Sequence, residues 1–394
     1  MEASCTAKIG RPLGNPLEFP LLSLYLAASF APETKVKLPF RDLSLENQSI
    51  RDELLQALTE TLDSGTFILG PKVAAFEAAV AERVGTRVAV GVASGSDALV
   101  IGLRALGVGP GDEVITSPFT FVATPEAIVR VGARPVFVDI DQETLALDPQ
   151  RVEDAITPRT RALLPVHVFG RVADMASIMD LARRHGLVVL EDAAQAMGAK
   201  LDGRSAGSLG HAAAFSFFPT KNLGALGDGG MLTTDSLQVA EIARSLRQHG
   251  KVGPGFEEVG YNSRLDALQA AVLLAKLPHL ERWTAERRAI AAQYAEAFRG
   301  MDGVTCPLDP GGDAHVFHQY AVRVAGGRRE VLAAWLASRG VETKVYYSPL
   351  ASQFAGYGVG AGALPVAERA AAELLCLPVY GGMAGGVLGE LLRA

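Results

Sequence analysis

The sequence predicts an α/β fold: a mostly parallel sheet covered by helices on both faces, followed by a smaller C-terminal α+β unit. Three observations carry this expectation. Between residues 87 and 192, short β-rich apolar runs alternate with amphipathic stretches, the order that builds βαβ units. Those runs are uninterrupted, as in strands buried on both faces. After Gly260 the texture changes to long helical stretches and then to short mixed elements.

Each element follows from local signals. Residues 1–37 have little periodicity and several Gly and Pro, and read as an N-terminal extension. From Arg51, residues Leu54, Leu55, Leu58 and Leu62 recur at helical spacing, and Ser64-Gly65 supplies the stop. A second helix over 72–84 opens at Pro71 and closes at Gly85. The alternation then runs strand 87–92, helix 96–106, strand 113–117, helix 125–131, strand 135–139, helix 149–156, strand 161–168, helix 175–185 and strand 187–190, which runs into Glu191-Asp192. Residues 264–277 and 280–299 read as long helices, the second a spine between domains. Strands are expected over 318–324 and 342–347, and helices over 330–338 and 365–375. The resulting division is an extension over 1–37, a large domain over 38–278 and a small domain over 279–394.

Composition narrows the function classes. With 37 basic and 43 acidic residues the net charge is -6, so a basic nucleic-acid-binding surface is not expected. The 49% hydrophobic content supplies a large core and excludes a wholly disordered chain. Cys5, Cys306 and Cys376 are far apart and form no CxxC pair, which reads as free thiols in a reducing compartment, the cytoplasm. No apolar run reaches the ~18–20 residues that span a bilayer. The nearest, residues 19–31, follows Lys8 and Arg11 and has a weak signal-peptide look.

Ligands of parallel sheets bind at the carboxyl ends of the strands, so the residues just after each strand are where chemistry is expected. The strongest signal is FSFFPTKNLGALGDGG, residues 215–230. Lys221 is either a surface-loop lysine or one whose pKa an apolar wall lowers, leaving an amine able to form a Schiff base. Ser216 can present a hydroxyl to a phosphate. Gly224, Gly227, Gly229 and Gly230 permit positive φ or close approach to a ligand. In LVVLEDAAQAMGA, residues 187–199, Asp192 is an N-cap or a carboxylate that keeps a pyridine nitrogen protonated. Gln195 lies on the same side if a helix has begun. GVASGSDALVIGL, residues 91–103, reads as strand, turn and helix. Gly95 and Ser96 are phosphate contacts at its helix N-terminus and Asp97 is a cap. The segment lacks P-loop and dinucleotide spacing. In SPFTFVATPEAI, residues 117–128, Phe119 or Phe121 covers a planar cofactor or packs in the core. A lysine, an acid after a strand, a phosphate-binding turn and an aromatic are together the parts that hold pyridoxal phosphate.

The order and wording of these segments resemble the DegT/DnrJ/EryC1/StrS family of sugar aminotransferases, which have the aspartate-aminotransferase-like (type I) pyridoxal phosphate fold. The resemblance runs from LPFRDL at residue 38 to near Tyr380, through ASGSDAL, GDEVITSPFTFVAT, GARPVFVDID, EDAAQAMGA, FSFFPTKNLGALGDGGMLTTD and GYNSRLDALQAA. It implies Lys221 as the Schiff-base lysine, Asp192 as the acid on the ring nitrogen, and Gln195 as the neighbour of the ring hydroxyl. It likewise implies Phe121 as the stacking aromatic and Gly95, Ser96 and Ser216 as phosphate ligands. Asn262 resembles a residue that reaches the phosphate of the partner subunit's cofactor, which implies a homodimer with shared active sites. L-Glutamate is the implied donor and a nucleotide-linked keto-deoxysugar the implied acceptor, 3-keto rather than 4-keto from the wording KNLGALGDGG. Lys221 is then the base and acid that moves the proton.

The chain departs from the family pattern at His211, where a Gly-Asp pair is common, and at Ala351, where a histidine is frequent. Four rival readings stand beside it. A family dehydratase replaces the lysine with histidine. A non-catalytic regulator or scaffold is expected to lose Lys221 or Asp192. A nicotinamide oxidoreductase needs the GxGxxG that is missing here. A cyclitol ketone is an alternative acceptor. Arg264, Lys251, Lys344, Arg328 and Arg329 are candidates for a diphosphate. His167, after a strand, is an active-site neighbour or a structural histidine. His315 and His318 form an HxxH pair without a third ligand, so no metal site is expected.

Overall fold

The apolar runs of the middle of the chain become the strands of one sheet. A computed structural model describes residues 38–357 and 363–383; the N-terminal extension, its apolar run and Cys5 lie outside the described residues. Helices α1 (Leu43–Ser49), α2 (Arg51–Ser64) and α3 (Gly70–Val84) precede β1 (Val88–Val92) and α4 (Gly95–Ala105). Then follow β2 (Glu113–Thr116), α5 (Ala123–Arg130), β3 (Arg134–Phe137), α6 (Pro149–Ala155), β4 (Thr160–Leu164), α7 (Met175–His185) and β5 (Val188–Asp192). A hairpin of β6 (Lys200–Leu201) and β7 (Arg204–Ser205) leads to β8 (Ala212–Ser216), β9 (Gly230–Thr234) and α8 (Leu237–Leu246). A second hairpin, β10 (Lys251–Val252) and β11 (Gly255–Phe256), precedes α9 (Ala267–Lys276) and α10 (Leu280–Ala297). The C-terminal unit holds β12 (Val304–Thr305), β13 (Tyr320–Val324), α11 (Arg329–Ser338), α12 (Pro365–Glu373) and β14 (Leu374–Leu377).

Caps set the helix bounds. Pro71 sits in the first turn of α3, and Gly85, at φ 81°, closes it in the left-handed conformation. Ser94 caps α4 by accepting from the Asp97 N–H, and Asp174 caps α7 by accepting from the Ser177 N–H. Asp97 is therefore not the cap that the sequence suggested.

The seven-stranded sheet has the order β1-β9-β8-β5-β4-β2-β3. Strands β3, β2, β4, β5 and β8 are parallel neighbours, and β9 runs antiparallel to both β8 and β1. Two reversals restore direction, so β1 points the same way as the parallel block. The carboxyl ends of β1, β2, β4, β5 and β8 consequently share one edge. Val90, Ile101, Leu163, Leu190 and Leu232 are fully buried against it, the main stabilising term of such a core.

The small antiparallel sheet β12-β13-β14 packs on α10 through Ile290 and Tyr294, and on Phe298 just beyond its end. Leu38 joins that cluster and bridges Val341. Glu46 on α1 accepts from the Arg287 guanidinium at 2.9 Å and from the Gly381 N–H at 3.0 Å. The chain at 38–50 is thus fastened to the C-terminal unit.

Several elements differ from expectation. Residues 342–347 form no strand; the segment has isolated bridges at Val341 and Lys344, and Tyr347 takes φ 62°, which breaks the extended ladder. The helix expected over 365–375 stops at Glu373, and the buried run that follows is β14; a short apolar run does not reveal its period. The strand expected over 161–168 ends at Leu164, before Pro165 and a single turn at Val168–Gly170. The sequence reading makes no assignment at 231–246, where most of β9 and α8 lie.

Candidate active site

The shared sheet edge collects most of the expected residues. Gly95 and Ser96 open α4 directly after β1, with N–H groups of the first turn available to an anion. Ser216 ends β8 beside them, because a Cβ added at Gly95 would lie 2.6 Å from the Ser216 Cβ. Gly230 is equally hemmed in by the Ser94 carbonyl. Gly224, Gly227, Gly229 and Gly230 all have φ outside the left-handed region; at Gly224 and Gly230 close approach, not positive φ, is what requires glycine. Gly95→Ala is expected to weaken cofactor binding about tenfold or more and to cost about 1–3 kcal/mol of stability, read by cofactor titration and thermal melting. Wild-type affinity in that variant would contradict the cradle.

Asp192 is the last residue of β5 and is buried. Its Oδ2 accepts from Thr124 Oγ1 at 2.8 Å and its Oδ1 from the Ala194 N–H at 3.2 Å. The helix allowed for after Asp192 is absent; residues 193–199 are two short turns joined by irregular backbone. Gln195 nonetheless faces the edge by another route. Its Oε1 accepts from the Phe169 N–H at 2.8 Å and its Nε2 donates to the Tyr347 hydroxyl at 2.7 Å. Phe119, Phe169 and Tyr347 form an aromatic cluster, Phe119 fully buried with its ring 5.0 Å from Tyr347. Phe121 is the exposed member of its pair, at 60%. Of the two, only Phe121 has its ring accessible to a ligand.

Lys221 lies in the turn after β8, its N–H donating to the Phe218 carbonyl at 2.8 Å. Burial pushes its ammonium down to about 8, opposed by Asp192 and aided by Arg41. The amine therefore becomes neutral as pH rises through about 8. Capture of pyridoxal phosphate by the apoprotein should speed up about tenfold per pH unit below that value and level off above it. A capture rate flat from pH 6 to 9, about three units, would contradict this environment for the amine.

Asn262 is exposed, and its side-chain oxygen accepts from the Arg264 guanidinium. Its neighbour Ser263 donates to Asp97 at 2.8 Å, so the segment passes the start of α4. Arg328 and Arg329, named for a diphosphate, are instead committed to Asp302 and to Glu330 and the Ala371 carbonyl, at the start of α11. The Lys344 amine sits 5.1 Å over the Phe40 ring.

His167 is structural. Its Nδ1 accepts from the Ala173 N–H, so Nε2–H donates to Glu191 at 2.8 Å. Glu191 also accepts from the N–H groups of Gly207, Leu209 and Gly210, on the face of β5 opposite Asp192. His315 and His318 diverge: the first stacks on Phe317 and the second pairs with Asn222. His211 accepts from the Val189 N–H, just before β8 and so at the other end of the sheet. Ala351 is buried, its N–H on the Pro118 carbonyl. The sequence reading missed Thr124 and Tyr347, which orient Asp192 and Gln195, and Arg41, which donates to the carbonyls of Thr220 and His318. Arg41 lies in LPFRDL and Thr124 in SPFTFVATPEAI, but no spacing singles out either residue.

A cradle that a Cβ would fill, a half-buried lysine of lowered pKa and a carboxylate at a strand end fit pyridoxal phosphate. Fold and edge together define the class, an α/β protein of the aspartate-aminotransferase-like type. The chain belongs to the DegT/DnrJ/EryC1/StrS aminotransferase family, whose model matches residues 48–391. It is 49% identical over 351 residues to a "Pleiotropic regulatory protein" of Geobacillus stearothermophilus, covering 88% of this chain and 94% of that one. It is 45% identical to the UDP-N-acetyl-3-dehydro-alpha-D-glucosamine 3-aminotransferase of Acidithiobacillus ferrooxidans, covering 87% and 93%. The crystal structure of S. venezuelae DesV in complex with a ketimine intermediate superposes with a TM-score of 0.87 at 43% identity, covering 91% of this chain and 97% of that one. NtdA from Bacillus subtilis, with bound cofactor PMP, gives 0.84 at 30% identity, covering 93% and 88%.

Proposed function

We propose that this chain is a pyridoxal-phosphate-dependent aminotransferase that moves the amino group of L-glutamate to a nucleotide-linked keto-deoxysugar, a 3-keto sugar in preference to a 4-keto one. The observation that carries the reading is the placing of Lys221 and Asp192 at one sheet edge with the Gly95–Ser216 cradle. The relatives add the acceptor class, since the Acidithiobacillus protein is named for a 3-dehydro nucleotide sugar.

When bound, the cofactor supplies an electron sink for the donor's α-carbon. The N–H groups at Gly95 and Ser96 and the Ser216 hydroxyl would hold its phosphate. Phe121 would cover the ring and Gln195 would meet its hydroxyl. Asp192, whose oxygens accept from Thr124 Oγ1 and the Ala194 N–H, would hold the proton on the ring nitrogen. Lys221 would hold the cofactor through its amine, and as a free amine would take a proton from the donor's α-carbon and deliver one to the acceptor carbon that gains nitrogen. Asn262 of a second copy reaches the phosphate, so the working form is a homodimer.

No helix among the described residues is long and apolar enough to cross a membrane. The cytoplasm is the proposed location on the ground of the widely separated cysteines. A regulatory role is the second reading, favoured by the name of the Geobacillus relative; the retention of both Lys221 and Asp192 favours catalysis. The test is to present the amine-loaded protein with nucleotide-linked 3-keto and 4-keto sugars and follow aminated product by mass spectrometry. Product from the 3-keto substrate is expected. No product from any nucleotide sugar would overturn the proposal.

A further inference from the structure

Three further cations gather with Lys221; of the other acids nearby, Glu286 acts on Arg287, and Asp42 and Glu342 act on Tyr380. Arg41, Lys221, Lys276 and Arg287 feel one another, or the acids Glu46 and Asp192, through one buried region. Glu46 is already committed to Arg287 and the Gly381 N–H, and Asp192 to Thr124 and Ala194. Lys276 is 3% exposed and its amine donates to the Gly224 carbonyl at 2.8 Å. His318 adds no negative partner; its ring pairs with Asn222, and burial beside Arg41, Lys221 and Arg287 keeps it neutral.

Arg41 stands out in this group. It is half-buried, and its guanidinium donates to the Thr220 carbonyl, next to Lys221, and to the His318 carbonyl at 2.8 Å. Both acceptors are neutral. Among the described residues Arg41 forms no ion pair with a carboxylate; Glu46, the acid that acts on it, is paired with Arg287. A desolvated cation without a counter-ion is costly, and a bound anion removes that cost. The cofactor's phosphate is assigned to the start of α4, so it does not meet this need. A planar fork with donors to spare matches a carboxylate.

We propose that Arg41 binds a carboxylate of the amino donor and so delivers the donor's α-carbon to Lys221. The proposal rests on the reading of the site as an aminotransferase. The test uses the full chain loaded with pyridoxal phosphate, following cofactor absorbance as L-glutamate is added to wild type, Arg41→Gln and Arg41→Lys. The half-saturating glutamate concentration should rise about ten- to a hundredfold in Arg41→Gln and less in Arg41→Lys, while the limiting rate changes by less than about threefold. Succinate, a dicarboxylate without an amine, should compete with glutamate in wild type and weakly in Arg41→Gln. An unchanged half-saturation, or a rate loss at unchanged half-saturation, overturns the proposal. If Arg41→Gln does not hold the cofactor, Arg41→Lys decides by the same two criteria. If wild type fails to react with glutamate, the aminotransferase reading falls by itself. Succinate titration then decides the anchor: binding that weakens in Arg41→Lys supports it, and equal binding overturns it.

Discussion

Lys221→Ala is expected to abolish amino transfer while leaving the fold intact. The rate of the half-reaction with L-glutamate should fall by at least about three orders of magnitude, because one side chain supplies both the covalent anchor and the proton carrier. The fold should tolerate the loss. The turn is held by the Lys221 N–H to the Phe218 carbonyl at 2.8 Å, which alanine retains. Removing the amine also relieves the cost of its burial, which outweighs the attraction of Asp192. Thermal melting should therefore shift upward or not at all. Turnover at the wild-type rate in a folded variant would sink the mechanism.

Asp192→Asn is the second large effect. The side chain keeps its shape, and an amide oxygen can still accept from Thr124, whose hydroxyl lies 2.8 Å from Oδ2. What disappears is the negative charge. Without it the ring nitrogen is not held protonated and the electron sink is weakened, so cofactor should bind while the half-reaction slows about a hundredfold or more. The substitution also removes the group that raises the Lys221 pKa, so the amine should titrate lower still. A normal half-reaction rate would refute the role given to Asp192.

The parallel block was legible because its strands are mainly apolar and β1 to β4 are each followed by a helix. Gly85 and Gly186 mark helix ends through φ of 81° and 66°, which glycine takes at low cost. Less was legible where period fails. The four residues of β14 carry the same apolar signature as a helix end, and Tyr346-Tyr347 reads as strand although it turns inward beside Gln195. At the site, strand-end residues such as Asp192 were readable from position alone. Gln195 was named for a helix that does not exist, and reaches the edge through Phe169 and Tyr347 instead. Arg41 lies 180 positions before Lys221 in the chain, and long-range packing, not pattern, brings it there. The glycines after Lys221 were read for backbone freedom, whereas Gly224 and Gly230 serve close packing.

The most direct measurement is the absorption spectrum of the purified protein with pyridoxal phosphate, before and after L-glutamate. The account predicts a visible band from cofactor joined to Lys221, converted by glutamate to the absorbance of the amine form. Absence of any bound-cofactor band would contradict the central claim, and the regulatory reading would then take its place.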